Sequence, residues 1–251
     1  MDPEFSERQF ESLFNSEFVS KYKALLSAPP FFPTLNREAF LGYDCRYDFK
    51  KGFKAKSLML QFKVSHFVKN RSRNNVHIYD CYGGAYFRFS VMRRNISKQH
   101  KIILKLAKSG KSIFYCAPLF YRLHELNNFF GRNGVINNSR LFNPIGMGDL
   151  PDNKQHHVSY DPLGQFGFFH SRNKKTIKVS GWEKIISALE LRNIDEKYLF
   201  DFLESLKEVL EEYLEFLRLP EKFKNMHVYY QVNYLLRTYI DISWFLIPLD
   251  Y

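Results

Sequence analysis

Cysteine is scarce in these 251 residues and follows no pattern: Cys45, Cys81 and Cys116 stand far apart and are odd in number. Their spacing excludes a CxxC metal or redox motif and a disulfide framework, so a reducing, cytoplasmic setting is the expectation. No apolar run approaches the roughly eighteen residues of a membrane-crossing helix, and a membrane is not among the expected partners. The first thirty residues mix Glu, Arg and Lys with apolar residues and lack the continuous apolar stretch of a signal peptide. Met1 to Phe5 reads as a remnant of cloning and is set aside. Nucleotide-binding glycine motifs are missing as well, since Gly146-Met147-Gly148 lacks a third glycine and the strand-to-helix context. There is no HExxH and no Gly-x-Ser-x-Gly elbow. His156-His157 with His170, alone or with Asp152 or Asp161, has no recognised metal-ligand spacing, and Cys116 in its apolar run reads as a small core residue.

What the chain has in excess is aromatic rings and positive charge. Aromatic residues make up 18% of it, with 26 Phe and 16 Tyr, and most of those rings must be buried because aromatics carry large apolar areas. The formal net charge is +11, unevenly spread. Residues 195 to 215 hold eight acids against Lys197 and Lys207, a net of −6, so the remainder carries +17. Residues 46 to 73 hold nine Lys or Arg against Asp48 alone, and residues 88 to 111 hold eight with no acid. Such a field attracts polyanions and speeds their encounter.

Ser6 and Gln9 can form a capping box, and Phe10, Leu13, Phe14, Phe18, Tyr22, Leu25 and Leu26 recur at helical spacing, so a first helix is expected to run to Ala28. Pro29-Pro30 and Pro33 end it, and Thr34 can cap a short second helix carrying Glu38. After Gly42 the chain predicts strands over Tyr43 to Phe49, Ser57 to Phe67, Val76 to Tyr82 and Tyr86 to Val91, the last two around Gly83-Gly84. Ser97 to Ser109 predicts an amphipathic helix with a lysine side, and Ser112 to Ala117 a buried strand. Residues 119 to 180 are rich in Asn, Gly and His and include a long irregular segment from Asn143 to His156, while Val158 to Gly164 predicts a strand followed by a turn. Trp182 to Leu191, Glu196 to Leu217 and Val228 to Leu246 predict a helical end, with the acids of the middle helix on a solvated face. The expected architecture is α/β: a core over residues 6 to 180, with a mixed central sheet flanked by helices, and a helical C-terminal subdomain over 181 to 251.

One constellation can carry chemistry. Glu38 and Asp44 offer carboxylates, Gln61 an amide oxygen and Phe62 its backbone carbonyl, a set of hard oxygen donors that suits Mg²⁺ or Mn²⁺. Alternation along a strand predicts that Gln61 and Lys63 share a face while Phe62 enters the core, which would place the Lys63 ammonium beside a metal-bound water. The arrangement resembles the PD-(D/E)XK nuclease superfamily over about Pro33 to Pro118. Asp44 matches the superfamily acid, Gln61-Phe62-Lys63 stands in place of its (D/E)XK element, Glu38 matches a helix-borne acid of some members and Gln99 a motif glutamine of others.

The resemblance implies a restriction-endonuclease-like core and Mg²⁺-dependent cleavage of DNA, in a setting such as restriction or anti-phage defence. Asp44, Gln61, Lys63 and Glu38 would be catalytic, with Asp44, Gln61, Phe62 and Glu38 around the metal. Lys50, Lys51, Lys54, Arg71, Arg73, Arg93, Arg94, Lys101 and Lys105 would hold phosphates. The alternative is a catalytically inactive nucleic-acid-binding or assembly protein on the same fold, acting with a protein partner or as a homo-oligomer.

Overall fold

The computed structural model describes residues 1–23, 54–91, 98–190, 192–193, 196–214, 219 and 221–248, and the chain divides into two compact units. It is mixed α/β, as the pattern of elements predicts. Among the described residues no helix is long and apolar enough to cross a membrane.

The first unit comprises Met1–Lys21, Gln61–Leu104 and Ile113–Ala188. Its helix α1 (Glu7–Tyr22) starts where Ser6 Oγ accepts the Gln9 N–H at 3.1 Å, the first half of the expected capping box. Phe10, Phe14 and Phe18 are fully buried along one stripe. Phe10 and Phe14 meet Phe62 edge-on at centroid distances of 5.5 and 5.2 Å, and Phe14 meets Trp182 at 5.5 Å. Met1 to Phe5 packs into this unit: Phe5 is buried against Phe10 and Phe120, and the Glu4 N–H donates to the Tyr121 carbonyl.

Seven strands of the first unit form an antiparallel sheet. With β1 (Lys54–Phe62) placed first in the chain, they are β2 (His66–Val68), β3 (Tyr86–Val91), β4 (Ile113–Pro118), β5 (Ser139–Phe142), β6 (His156–Tyr160), β7 (Phe166–His170) and β8 (Lys175–Ser180), and their order is β4-β5-β8-β7-β6-β3-β2. Phe89, Val158, Tyr160, Phe169, Ile177 and Val179 alternate onto one buried face, where Phe142 sits 4.9 Å from Tyr160 and 5.2 Å from Phe89.

The β6–β7 turn is organised by one side chain. Asp161 is buried, its Oδ1 accepts the Gln165 and Phe166 N–H groups at 2.7 and 2.8 Å, and its Oδ2 accepts the Leu163 N–H at 3.2 Å. Gly167 lies opposite Tyr160, and a Cβ there would come within 2.8 Å of the Ser159 carbonyl, so only glycine fits.

Helices α2 (Val76–Tyr82), α3 (Gln99–Lys108), α4 (Leu123–Phe130), α5 (Pro144–Met147) and α6 (Trp182–Ala188) complete the sequence of elements to this point. The Val76–Tyr82 segment is thus a helix where a strand was expected. Its Val, Ile and Tyr residues favour a strand in isolation, but Gly83 at φ 65° closes a helical C-terminus, returning its N–H to Asp80 and Tyr79. Strand β1 ends at Phe62, short of the expected Phe67, and the chain resumes as β2 after Ser65. The segment expected to be irregular holds the single turn α5, and His100 Nε2–H donates to the Gly148 carbonyl at 2.8 Å while its Nδ1 accepts from Tyr115 at 2.8 Å.

The second unit comprises Tyr22–Leu60, Lys105–Ser112 and Leu189–Tyr251. Its strand segment of β1 pairs antiparallel with β9 (Arg192–Asn193) and with β10 (Ser243–Pro248), around helices α7 (Glu196–Leu214) and α8 (Val228–Ile240). Leu199, Phe202, Leu203, Leu206 and Leu210 are buried along α7, while Asp201, Glu204 and Glu208 are exposed, the solvated acidic face that was expected. The expected helix to Leu246 stops at Ile240, where Asp241 takes a left-handed cap at φ 54°. Ser243–Pro248 is instead a strand, anchored by Trp244 Nε1–H donating to Ser57 Oγ at 2.8 Å.

Asp161→Ala leaves three turn N–H groups without their acceptor and is expected to cost about 1–3 kcal/mol in chemical denaturation. A change below about 0.5 kcal/mol would show that the turn does not depend on this carboxylate.

Candidate nucleic-acid interface

The residues predicted to hold a metal are only partly described. Glu38 and Asp44 lie outside the described residues, as do the expected phosphate contacts Lys50, Lys51, Arg93 and Arg94 and the side chain of Lys54. Gln61 is 1% exposed, its Oε1 accepts from Gln99 Nε2 at 2.7 Å, and its own Nε2 donates to the Phe62 carbonyl at 3.3 Å. The two glutamines singled out in the sequence therefore meet.

Lys63 goes elsewhere. It follows the end of β1, is 7% exposed, and places Nζ 3.3 Å from Glu7 Oε2 on α1, the helix that also receives the Phe62 ring. Strand alternation sends Gln61 to α3 and Phe62 to α1, and the break after Phe62 turns Lys63 to the Phe62 side. The expected common face for Gln61 and Lys63 is not formed, because the alternation ends one residue too early. Among the remaining predicted phosphate contacts, Arg71 forms a two-point ion pair with Asp80 at 2.8 Å, whereas Arg73 and Lys101 are exposed and Lys105 is half-buried.

A different cluster forms on the outward face of the first-unit sheet, opposite the buried one. The register places Arg88 of β3 between His66 of β2 and Ser159 of β6, and Ser159 opposite Phe168 of β7. In the neighbouring row Ser90, His157 and His170 stand opposite one another on β3, β6 and β7. Ser159 Oγ shares hydrogen bonds with His170 Nε2 at 2.6 Å and with the Tyr82 hydroxyl at 2.8 Å, and Ser90 Oγ with His157 Nδ1 at 3.2 Å.

Aromatic rings form the next part of this face. Tyr82, at the end of α2, stacks on Phe166 at 5.3 Å and on Tyr86 at 5.4 Å, and Phe166 remains 41% exposed. Lys174 Nζ sits 4.6 Å from the Phe168 ring centroid, a cation–π contact at the edge of the platform. Among the described residues, the buried Tyr86 hydroxyl has no hydrogen-bond partner.

Burial and the surrounding cations depress proton affinity here. Burial lowers the His157 pKa to about 4, helped by Arg88 and the neighbouring imidazoles of His156 and His66. Burial likewise lowers His170 to about 4, with His77, His157 and Lys174 acting in the same sense. Burial also raises the Tyr82 hydroxyl well above its ordinary range. The histidines are thus neutral at pH 7 in a setting rich in positive charge, where a bound anion would favour their protonation.

His156 is not part of this cluster. It points to the buried face, lies tilted against Phe169 at 5.8 Å and 3.2 Å from Asp152, while both oxygens of Asp161 are used by its own turn. Adjacent strand residues face opposite ways, so His156 and His157 cannot share a metal. Among the described residues, no group of three or more His, Cys, Asp or Glu side chains is arranged to hold one.

In the sequence His157 and His170 stand out only as possible metal ligands beside His156, and Ser159 and Phe168 do not stand out at all. The signal was an H-x-S on one strand and an F-x-H on the next, with the Asp161 turn between them. No family model, curated protein or solved structure matches the chain.

The folded-state pKa values of His157 and His170 lie below the unfolded value near 6.5, so folding favours the neutral forms. Their contribution to stability is complete above pH 6.5 and is lost as pH falls toward 4. The melting temperature should therefore drop between pH 6.5 and 4.5, and less steeply in a His157→Asn, His170→Asn variant. An equally steep drop in that variant would exclude the pair as its source.

Proposed function

We propose that the protein binds single-stranded nucleic acid on the outward face of the β3–β6–β7 sheet. The observation that carries this reading is the combination on one face of stacked, partly exposed rings, Tyr82, Phe166 and Phe168, with the cations Arg88 and Lys174. Bases stack on such rings whatever their sequence, and the cations take up backbone phosphates. The chain's charge of +11 adds a field that attracts a polyanion from a distance.

Fluorescence anisotropy with a labelled single strand provides the test. Binding should weaken at least about tenfold between 50 and 200 mM salt. Phe168→Ala should cost about 1–3 kcal/mol of affinity, and Arg88→Ala should lower the salt slope by about one. Absence of binding at low salt, or unchanged affinity in both variants, would overturn the proposal.

A second reading is metal-dependent cleavage of DNA on a restriction-endonuclease-like core. It is favoured by the meeting of Gln61 with Gln99 beside the Phe62 carbonyl. These oxygens suit a hard cation but bring no charge, so Asp44 and Glu38 would have to supply it. Bound Mg²⁺ or Mn²⁺ would neutralise the scissile phosphate and lower the pKa of the attacking water. Plasmid nicking in Mn²⁺ should then fall at least about a hundredfold in Asp44→Ala. Retained nicking in that variant would exclude the site.

A further inference from the structure

We infer that His157 and His170 form an acid–base pair that cleaves single-stranded RNA without a metal. This rests on the reading of the outward sheet face as a nucleic-acid platform, and adds a reaction and a substrate class to it.

The pair is built by the register. His157 and His170 are directly opposite on β6 and β7, and residues so placed have Cβ atoms about 4.5–5.5 Å apart. Each ring is fixed through one nitrogen, His157 Nδ1 by Ser90 and His170 Nε2 by Ser159, and Ser159 is itself held by Tyr82. The other nitrogens, His157 Nε2 and His170 Nδ1, have no hydrogen bond among the described residues. Two imidazoles held in this way from the same face can lie on either side of one phosphodiester.

Arg88 and the rings supply the rest of the site. Arg88 is opposite Ser159 in the neighbouring row, where its guanidinium can meet the phosphoryl oxygens. Phe168 is two residues from His170 on the same face, and Phe166 extends the stack, so bases seated there would bring the backbone over the histidines.

The chemistry needs no further reactant. One neutral imidazole takes the proton of the ribose 2′-hydroxyl, whose oxygen attacks phosphorus and forms the P–O2′ bond. The P–O5′ bond breaks, and the other imidazole, protonated under the influence of the bound phosphate, gives its proton to the leaving 5′-oxygen. The products are a 2′,3′-cyclic phosphate and a free 5′-hydroxyl. DNA would bind and remain intact because it lacks the nucleophile. Placing the nucleophile in the substrate also suits a sheet face where Ser159, although hydrogen-bonded to His170, is covered by Tyr82 and buried.

The test uses the full chain in EDTA between pH 4.5 and 7.5 with two fluorescent probes: a single-stranded RNA, and a DNA strand of the same length containing one ribonucleotide. Cutting is expected in the RNA, and in the second probe only 3′ of its ribonucleotide, with a 2′,3′-cyclic phosphate found by mass spectrometry. His157→Ala and His170→Ala should each lower the rate at saturating RNA by about 10²-fold or more. The ribonucleotide probe keeps the inference falsifiable even if a variant fails to fold. Binding without cutting in EDTA would overturn the inference and leave the binding proposal standing. Cutting that requires added metal, or that persists in the double variant, would also overturn it. Absence of binding would overturn both.

Discussion

The register of the β6–β7 hairpin is the constraint on which the rest of the candidate site depends. A buried aspartate, Asp161, accepts three N–H groups of the turn and so fixes how many residues separate the two strands. With Tyr160 then opposite Gly167, His157 must stand opposite His170 and Ser159 opposite Phe168. A slip of one residue would drive His157 and Ser159 into the core and bring Val158 to the surface. The absence of a Cβ at Gly167 lets the strands close beside the Tyr160 ring, so the turn and the glycine enforce the same alignment.

This alignment separates two kinds of chemistry across the thickness of a single sheet. Inside, Tyr160 donates to the Pro118 carbonyl at 2.7 Å and packs among Phe87, Phe89 and Phe142, all buried. Outside, the same strands present histidine, serine and arginine beneath a short helix whose last residue, Tyr82, stacks with Tyr86 and Phe166. Burial is the main cause that depresses the outward histidines, and the nearby cations and imidazoles act in the same direction. The outcome is a face that gathers cationic and neutral donors without a matching carboxylate from its own strands, an environment complementary to phosphate.

Much of the α/β outline was legible because local and tertiary preferences agree. Helix α1 carries three phenylalanines at helical spacing, and all three are core; α3 and α7 show the same correspondence between apolar stripe and burial. Where they disagree the pattern misleads. Val76–Tyr82 has strand composition but is closed as a helix by Gly83, and Ser243–Pro248 continues an apolar helical pattern but is drawn into a strand by β1, nearly two hundred residues earlier in the chain. The Gln61-x-Lys63 spacing implied a shared face, and the end of the strand at Phe62 removed it.

The sequence by itself determined the surplus of positive charge, the aromatic wealth, the lack of cysteine and nucleotide-binding motifs, and the positions of the long amphipathic helices, since all of these follow from composition or from periods of a few residues. Only the tertiary structure decided that Gln61 meets Gln99, that Lys63 meets Glu7, and that Arg88, His157, Ser159 and His170 share a face. Those neighbours come from strands and helices far apart in the chain. Their pairing is set by backbone hydrogen bonds and the packing of buried rings, which a local pattern of residues does not encode.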